Sequence, residues 1–288
     1  MKCCQSVKFR ALIRLIIVLL SILLITGCET AQKTTQPLKP ESVPELRPGL
    51  LIGYIDLAEL PNSIELIPTV PGSDSALFTV DQNMSHSFQK LRGTLRWDLA
   101  IKDADLYFPG AAGTFSCSLG APITETETPF LYQMLRRTAQ DAGLATFRAK
   151  NEYERLRPFI HNNEPICTPE KAAKYRESGS YPSGHAAIGW AWALILSEIA
   201  PDRADEIMDR GKAFGESRMV CNVHWDSDVR EGRTVAAAVV AKLHSNPGFI
   251  YDFAVAKEEV AAVRAKNLPP TRDCHAETAA LAVKPESQ

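Results

Sequence analysis

The chain has no excess of basic charge: 32 Lys plus Arg stand against 34 Asp plus Glu, a net charge of -2. That excludes a nucleic-acid binder with a broad cationic face. No internal repeat is found, and alternating apolar–polar runs are scarce, which argues against a sandwich or barrel. Beyond residue 28 no segment is apolar for the roughly 20 residues that a spanning helix needs. Cysteine is sparse there as well, limited to Cys117, Cys167, Cys221 and Cys274. In an oxidising compartment these four predict up to two disulfides, with three connectivities left open.

The N-terminus is what remains rich in apolar residues. Lys2, Lys8, Arg10 and Arg14 precede a run from Leu15 to Ile25 broken only by Ser21, the pattern of a secretory signal. A membrane anchor is the competing reading, but the run is short for one and ends in small residues. Its ending, Ile25-Thr26-Gly27-Cys28, resembles the bacterial lipobox, in which the Cys becomes the lipidated first residue. The expectation is a periplasmic protein tethered to the bacterial membrane through Cys28. Without residues 1–27 the balance becomes 28 Lys plus Arg against 34 Asp plus Glu, a net charge of -6.

Residues 28–48 are polar and carry Pro37, Pro40, Pro44 and Pro48, as expected of a tether. Residues 269–288 lack periodicity and are expected to form a polar tail. Between them, residues 49–268 suffice for one sizeable core. Leu77, Val80, Met84, Phe88, Leu91, Leu95 and Leu99 recur at steps of three and four, which predicts one long amphipathic helix. A second runs from Pro129 toward Tyr153 and must stop near Arg157, because Pro158 disfavours α geometry in the residue before it. Residues 186–200, 202–216 and 228–244 read likewise. The predicted fold class is all-α, a single globular helical domain.

Three stretches carry chemistry. In K-N-E-Y-E-R-L-R-P, Lys150 and Arg157 lie seven residues apart; within a helix that is roughly two turns and places both cations on one face. A solvated basic stripe that includes Arg155 explains the same letters. In G-S-Y-P-S-G-H, Ser183 reads as a helix cap. The Gly184 backbone N–H and the positive end of the helix dipole suit an oxyanion, and His185 stands at the same mouth as a proton donor. In E-S-R-M-V-C-N-V-H-W-D-S-D, His224 and Asp228 are four apart. On one helical turn the carboxylate would hold one ring nitrogen protonated and leave the other as a nucleophile. A purely structural His–Asp hydrogen bond is the plainer alternative.

In order, these stretches read Lys150-x6-Arg157-Pro158, then Pro182-Ser183-Gly184-His185, then Ser217-Arg218-x5-His224-x3-Asp228. The arrangement resembles the tripartite signature of the type 2 phosphatidic acid phosphatase superfamily. The flanking G-S-Y-P-S-G-H, G-E-S-R and H-W-x-S-D-V are similar to bacterial class A non-specific acid phosphatases, over most of residues 75–262. The resemblance implies an all-α acid phosphatase acting on phosphate monoesters. Lys150, Arg157, Ser183, Gly184 and Arg218 would bind the phosphoryl oxygens. His224 would be the nucleophile, forming a phosphohistidine, with Asp228 orienting it and His185 as acid and base. It implies no metal and no other cofactor, no nucleic-acid partner, a homo-oligomer, and phosphotransfer when an alcohol replaces water. Specificity is expected in loops such as residues 161–175. Ala186 stands where class A enzymes usually carry Thr, which removes a secondary hydrogen bond.

Other chemistries fit less well. The only Cys followed six positions later by Arg is Cys4, in the signal, so no thiolate phosphatase loop follows residue 28. No R-H-G triplet occurs. Asp226-Ser227-Asp228 mimics an aspartyl-phosphate motif but lacks the buried strand that such a motif follows. H-W-D-S-D lacks a second His for a metal site. A lipid phosphate phosphatase, a vanadate-dependent haloperoxidase and a non-catalytic phosphate-binding lipoprotein are the remaining alternatives. The first wants several spanning helices, the second a much longer chain, and the third has no use for His185, His224 and Asp228 together.

Overall fold

A computed structural model describes residues 39–47 and 49–285, so the signal segment and Cys28 lie outside the described residues. A short hairpin opens it, β1 (Glu45–Arg47) paired antiparallel with β2 (Leu50–Leu51). Gly49 makes the turn at φ +81°, a conformation that other residues adopt only with strain. Val43 is already buried, so the end of the expected tether belongs to the folded body.

The rest is helical, as the periodicity predicts. The helices are α1 (Ser63–Leu66), α2 (Ala76–Gln89), α3 (Leu95–Asp103), α4 (Ser116–Leu119), α5 (Pro129–Ala145), α6 (Phe147–Tyr153) and α7 (Pro158–Asn162). They continue with α8 (Ala172–Arg176), α9 (Gly184–Ile199), α10 (Ala204–Val220), α11 (Asp226–Leu243), α12 (Pro247–Ala265) and α13 (Cys274–Ala282). Among the described residues no helix is long and apolar enough to cross a membrane.

Helix α9 is the centre of the core. It is apolar nearly all round, as a helix enclosed by others must be, and α5, α10 and α11 pack against it. Trp192 is buried on it and donates from Nε1 to the Leu135 carbonyl of α5 (2.9 Å), which satisfies its one polar atom. Backbones approach closely at glycine: a Cβ on Gly211 of α10 would lie 2.4 Å from Ala193 Cβ on α9.

Four expectations are corrected. The long helix over residues 77–99 is two helices, broken where Gly93 takes φ +75°. Its apolar stripe is only half buried: Phe88, Leu91 and Leu99 are in, but Leu77 is 59% exposed and Leu95 54%. The inward face of α2 is set instead by Asp81 and Ser85 together with Phe88, because a buried arginine described below needs Asp81 there. The second long helix divides at Thr146, and α6 ends where Glu154 turns left-handed at φ 41°. Arg157 therefore lies beyond the helix, extended before Pro158, and does not share a helical face with Lys150.

The fourth correction is the C-terminal tail. Asp273 caps α13 by accepting from Ala276 N (3.0 Å), and Glu277 is buried against Arg210 (3.5 Å). Cys274 is disulfide-bonded to Cys117, and the second disulfide joins Cys167 to Cys221. With nine residues and only Glu277 and Ala280 buried, α13 offers no apolar periodicity to read.

Candidate active site

The expected residues converge at the N-terminus of α9. Ser183 is the cap: its Oγ accepts from Ala186 N (3.3 Å), and its own N–H donates to the Asp228 carbonyl (2.9 Å). The Tyr181–Pro182 bond leading into it is cis. The N–H groups of Gly184 and His185 have no acceptor among the described residues, so the first turn of a buried 16-residue helix presents free donors. Helix α11 crosses beneath: a Cβ on Gly232 would fall 2.5 Å from the Ser183 carbonyl oxygen, so only glycine fits there.

His224 lies just before α11 and Asp228 in its first turn, both buried. Asp228 Oδ2 accepts from Trp225 N (2.8 Å) and faces His224 Nδ1 at 3.3 Å. That pairing puts the ring proton on Nδ1, so that Nε2 carries the lone pair, which accepts from Arg157 Nη1 at 3.2 Å. The expected His–Asp relation is present, although the two residues do not share a continuous helix.

Lys150 and Arg157 reach the site from different elements, and most of their donors are spent on backbone carbonyls. Lys150 Nζ donates to the carbonyls of Gly179 (3.1 Å) and Pro182 (2.8 Å). Arg157 donates to those of Tyr175, Ser178, Gly179 and Val223 at 3.0 to 3.2 Å. Both cations are thereby fixed in place. Arg218 differs. It is 0% exposed; among the described residues its Nε and Nη1 have no partner, and its one hydrogen bond runs from Nη2 to the Tyr175 hydroxyl (3.3 Å). Among the described residues no carboxylate pairs with it. A buried guanidinium without a counter-charge is strongly unfavourable unless an anion meets it.

Titration behaviour follows from this crowding. Burial, reinforced by Arg157, pulls Lys150 down to about 7 against the opposing pull of Asp228. Burial lowers Arg157 to about 10. Burial and the neighbouring Arg157, Lys150 and Arg218 hold His224 well below the ordinary imidazole range. His185 is likewise pushed well down, by burial and then by Arg218 and His224. Its Nε2 meets the Ala104 carbonyl at 3.3 Å, a carbonyl that also accepts from Lys171 Nζ (3.0 Å).

Arg155 and Asp81 are the residues that sequence reasoning missed. Far from lying on a solvated stripe, Arg155 is buried between two carboxylates, 2.6 Å from Asp228 Oδ1 and 2.6 Å from Asp81 Oδ2. Asp81 also accepts from Ser227 N (2.8 Å) and Ser227 Oγ (2.6 Å). The available signal was the spacing of Asp81, Ser85 and Phe88 at i, i+4, i+7, which marks the inward face of α2. Asp226 pairs with Arg230 at 3.6 Å.

The arrangement can bind a tetrahedral oxyanion against three cations and a helix N-terminus, with an imidazole nucleophile and a second imidazole beside it. Comparison with known proteins agrees. The PAP2 superfamily matches residues 134–249, a stretch that contains Lys150 through Asp228 but not Asp81. A non-specific acid phosphatase of Providencia stuartii is 44% identical over 73% of this chain and 86% of its own length. An acid phosphatase of Zymomonas mobilis is 39% identical over 67% and 74%. A non-specific acid phosphatase of Salmonella typhimurium is 40% identical over 69% and 80%. Identity at that level across most of both chains means that this chain belongs to the class A non-specific acid phosphatases of the PAP2 superfamily and is an acid phosphatase.

Proposed function

We propose that the enzyme hydrolyses a broad range of phosphate monoesters through a phosphohistidine on His224, with no metal. The observation that carries this reading is Arg218, a fully buried guanidinium with two unpartnered nitrogens, in the same pocket as His224. Arg218 and the Gly184 N–H grip phosphoryl oxygens, while Lys150 and Arg157 supply charge from fixed positions and Ser183 holds the helix start. His224 Nε2 attacks phosphorus and the ester P–O bond breaks. His185, protonated once the dianion is bound, passes its proton to the leaving alkoxide. Water then attacks the phosphohistidine, the P–N bond breaks, and His185 takes the water proton as phosphate forms. An alcohol in place of water gives phosphotransfer. Asp228 keeps Nδ1 protonated throughout.

The proposal includes the cellular setting. The basic start, the Leu15–Ile25 run and the lipobox-like Cys28 support export to the periplasm and a lipid anchor, which fatty-acid labelling lost in Cys28→Ala would establish. The family resemblance supports a homo-oligomer, which light scattering of the purified chain decides.

The mechanism is tested by quenching turnover of a labelled aryl phosphate. Wild type should yield acid-labile, base-stable phosphoenzyme, His224→Ala none, and His185→Ala some when the leaving group is good. Phosphoenzyme in His224→Ala at the wild-type level would overturn the nucleophile assignment. Activity should persist in EDTA, and its loss to chelation would overturn the metal-free scheme.

A further inference from the structure

The segment between Cys167 and Gly179 forms a roof over the cations of the pocket. It is tied down at three places: by the Cys167–Cys221 disulfide, by Lys171 Nζ on the Ala104 carbonyl, and by Arg157, which donates to the carbonyls of Tyr175 and Ser178. The side chain that this roof turns toward the pocket is Tyr175. Its ring lies 4.6 Å from Arg157 Cζ, within cation–π range, and its hydroxyl oxygen accepts from Arg218 Nη2 at 3.3 Å.

We propose that Tyr175 is a further substrate-binding residue, its phenolic O–H donating to a non-bridging phosphoryl oxygen held by Arg218. The inference rests on the phosphate pocket proposed above and extends it. Three observations carry it. The hydroxyl accepts from Arg218, but its own proton has no acceptor among the described residues, so one donor remains to be used. Nη2 shares one edge of the planar guanidinium with Nε and the other with Nη1, and both of those nitrogens are unpartnered. An anion engaging either edge therefore lies beside the Tyr175 hydroxyl. The residue is also a phenol, not a carboxylate, where two guanidinium groups meet. A carboxylate there would pair with Arg157 and Arg218 and compete with the phosphoryl group, whereas a phenol positions Arg218 and adds a donor without spending its charge.

Tyr175→Phe separates the hydroxyl from the ring, since the stack on Arg157 stays. For the full-length enzyme with para-nitrophenyl phosphate, kcat/KM should fall roughly tenfold. Inhibition by orthovanadate, which mimics the five-coordinate phosphoryl group, should weaken by a similar factor, as expected for one lost hydrogen bond to a charged ligand. The melting temperature should stay within about a degree of wild type, and a second variant, Tyr175→Glu, should bind vanadate more weakly still. Wild-type kcat/KM and vanadate inhibition in Tyr175→Phe would overturn the assignment of Tyr175. The underlying pocket fails by a different result: Arg218→Ala inhibited by vanadate as strongly as wild type.

Discussion

Arg155 Nη1 lies 2.6 Å from Asp228 Oδ1, on the carboxylate oxygen opposite the one that faces His224. His224, the proposed nucleophile, is thus held at the end of a chain of side chains, Asp81, Arg155 and Asp228, of which Asp81 lies outside the matched superfamily region. Removing Arg155 leaves two buried carboxylates without their cation, a loss on the order of 3–5 kcal/mol. Arg155→Met should show that loss in urea unfolding and lower kcat at permissive temperature. Arg155→Lys should recover more of the stability than of kcat, because an ammonium cannot span both carboxylates as the guanidinium fork does.

Anion binding should take up protons. In the free enzyme His185 is held well below its ordinary value and Lys150 is down to about 7, while an entering dianion favours the protonated form of both. Sulfate, a dianion throughout the range, should therefore bind more weakly as pH rises through about 7, approaching tenfold per pH unit if one proton is linked. Inhibition constants between pH 6 and 8.5, with calorimetry in two buffers of different ionisation enthalpy, check this. A binding constant that is flat with pH and heats that do not depend on buffer would contradict it.

The same linkage has a stability counterpart. Lys150 has a folded pKa below its unfolded one, so its charge penalises the free protein fully below about pH 7, and the penalty is relieved as pH rises from there toward the unfolded value. Sulfate offsets that penalty, so it should raise the melting temperature more at pH 6 than at pH 8.5.

Gly232→Ala should be among the more damaging single-methyl changes. The new Cβ would meet the Ser183 carbonyl at 2.5 Å and Ala186 Cβ at 3.1 Å, forcing apart the two helices that set the pocket floor. A loss of roughly 1–3 kcal/mol is expected, with a fall in kcat that persists after correction for the folded fraction. Activity assays alongside urea melts separate the two.

The Cys117–Cys274 disulfide closes a separation of 157 residues and pins α13 over the buried Arg210–Asp103 pair. Replacing both cysteines with Ala should cost about 2–4 kcal/mol in unfolding experiments. kcat toward para-nitrophenyl phosphate should remain within about twofold, because the contacts of α13 are with Arg210 and with α3.

Much of the site was legible in the sequence because its chemistry is carried by residue types at fixed spacings. That Ser183, His185, Arg218, His224 and Asp228 come together was readable for that reason, and the core helices α9 to α11 announced themselves by their apolar periodicity. Arg155 was not legible, because a lone arginine among charged neighbours looks the same whether solvated or clasped between two buried carboxylates. Asp81 lies 74 residues away from it in sequence, so nothing local distinguishes the two cases. The shared helical face expected of Lys150 and Arg157 is not formed: the chain turns left-handed at Glu154, and tertiary contacts, both donating to the Gly179 carbonyl, bring the cations together. Tyr175 was hidden because its importance lies in two guanidinium groups contributed by distant segments.

The contact at Gly232 bears on how such an enzyme can change over evolutionary time. A floor in which two helices cross at a distance that excludes even a methyl group offers no gradual route to a different shape, since every first step loses stability before it gains anything. The roof from Cys167 to Gly179 is different: its ends are fastened, and between them lie exposed positions such as Ala173, Lys174 and Arg176. Substitutions that alter leaving-group preference are therefore expected to be tolerated at this rim more readily than in the floor at Gly232.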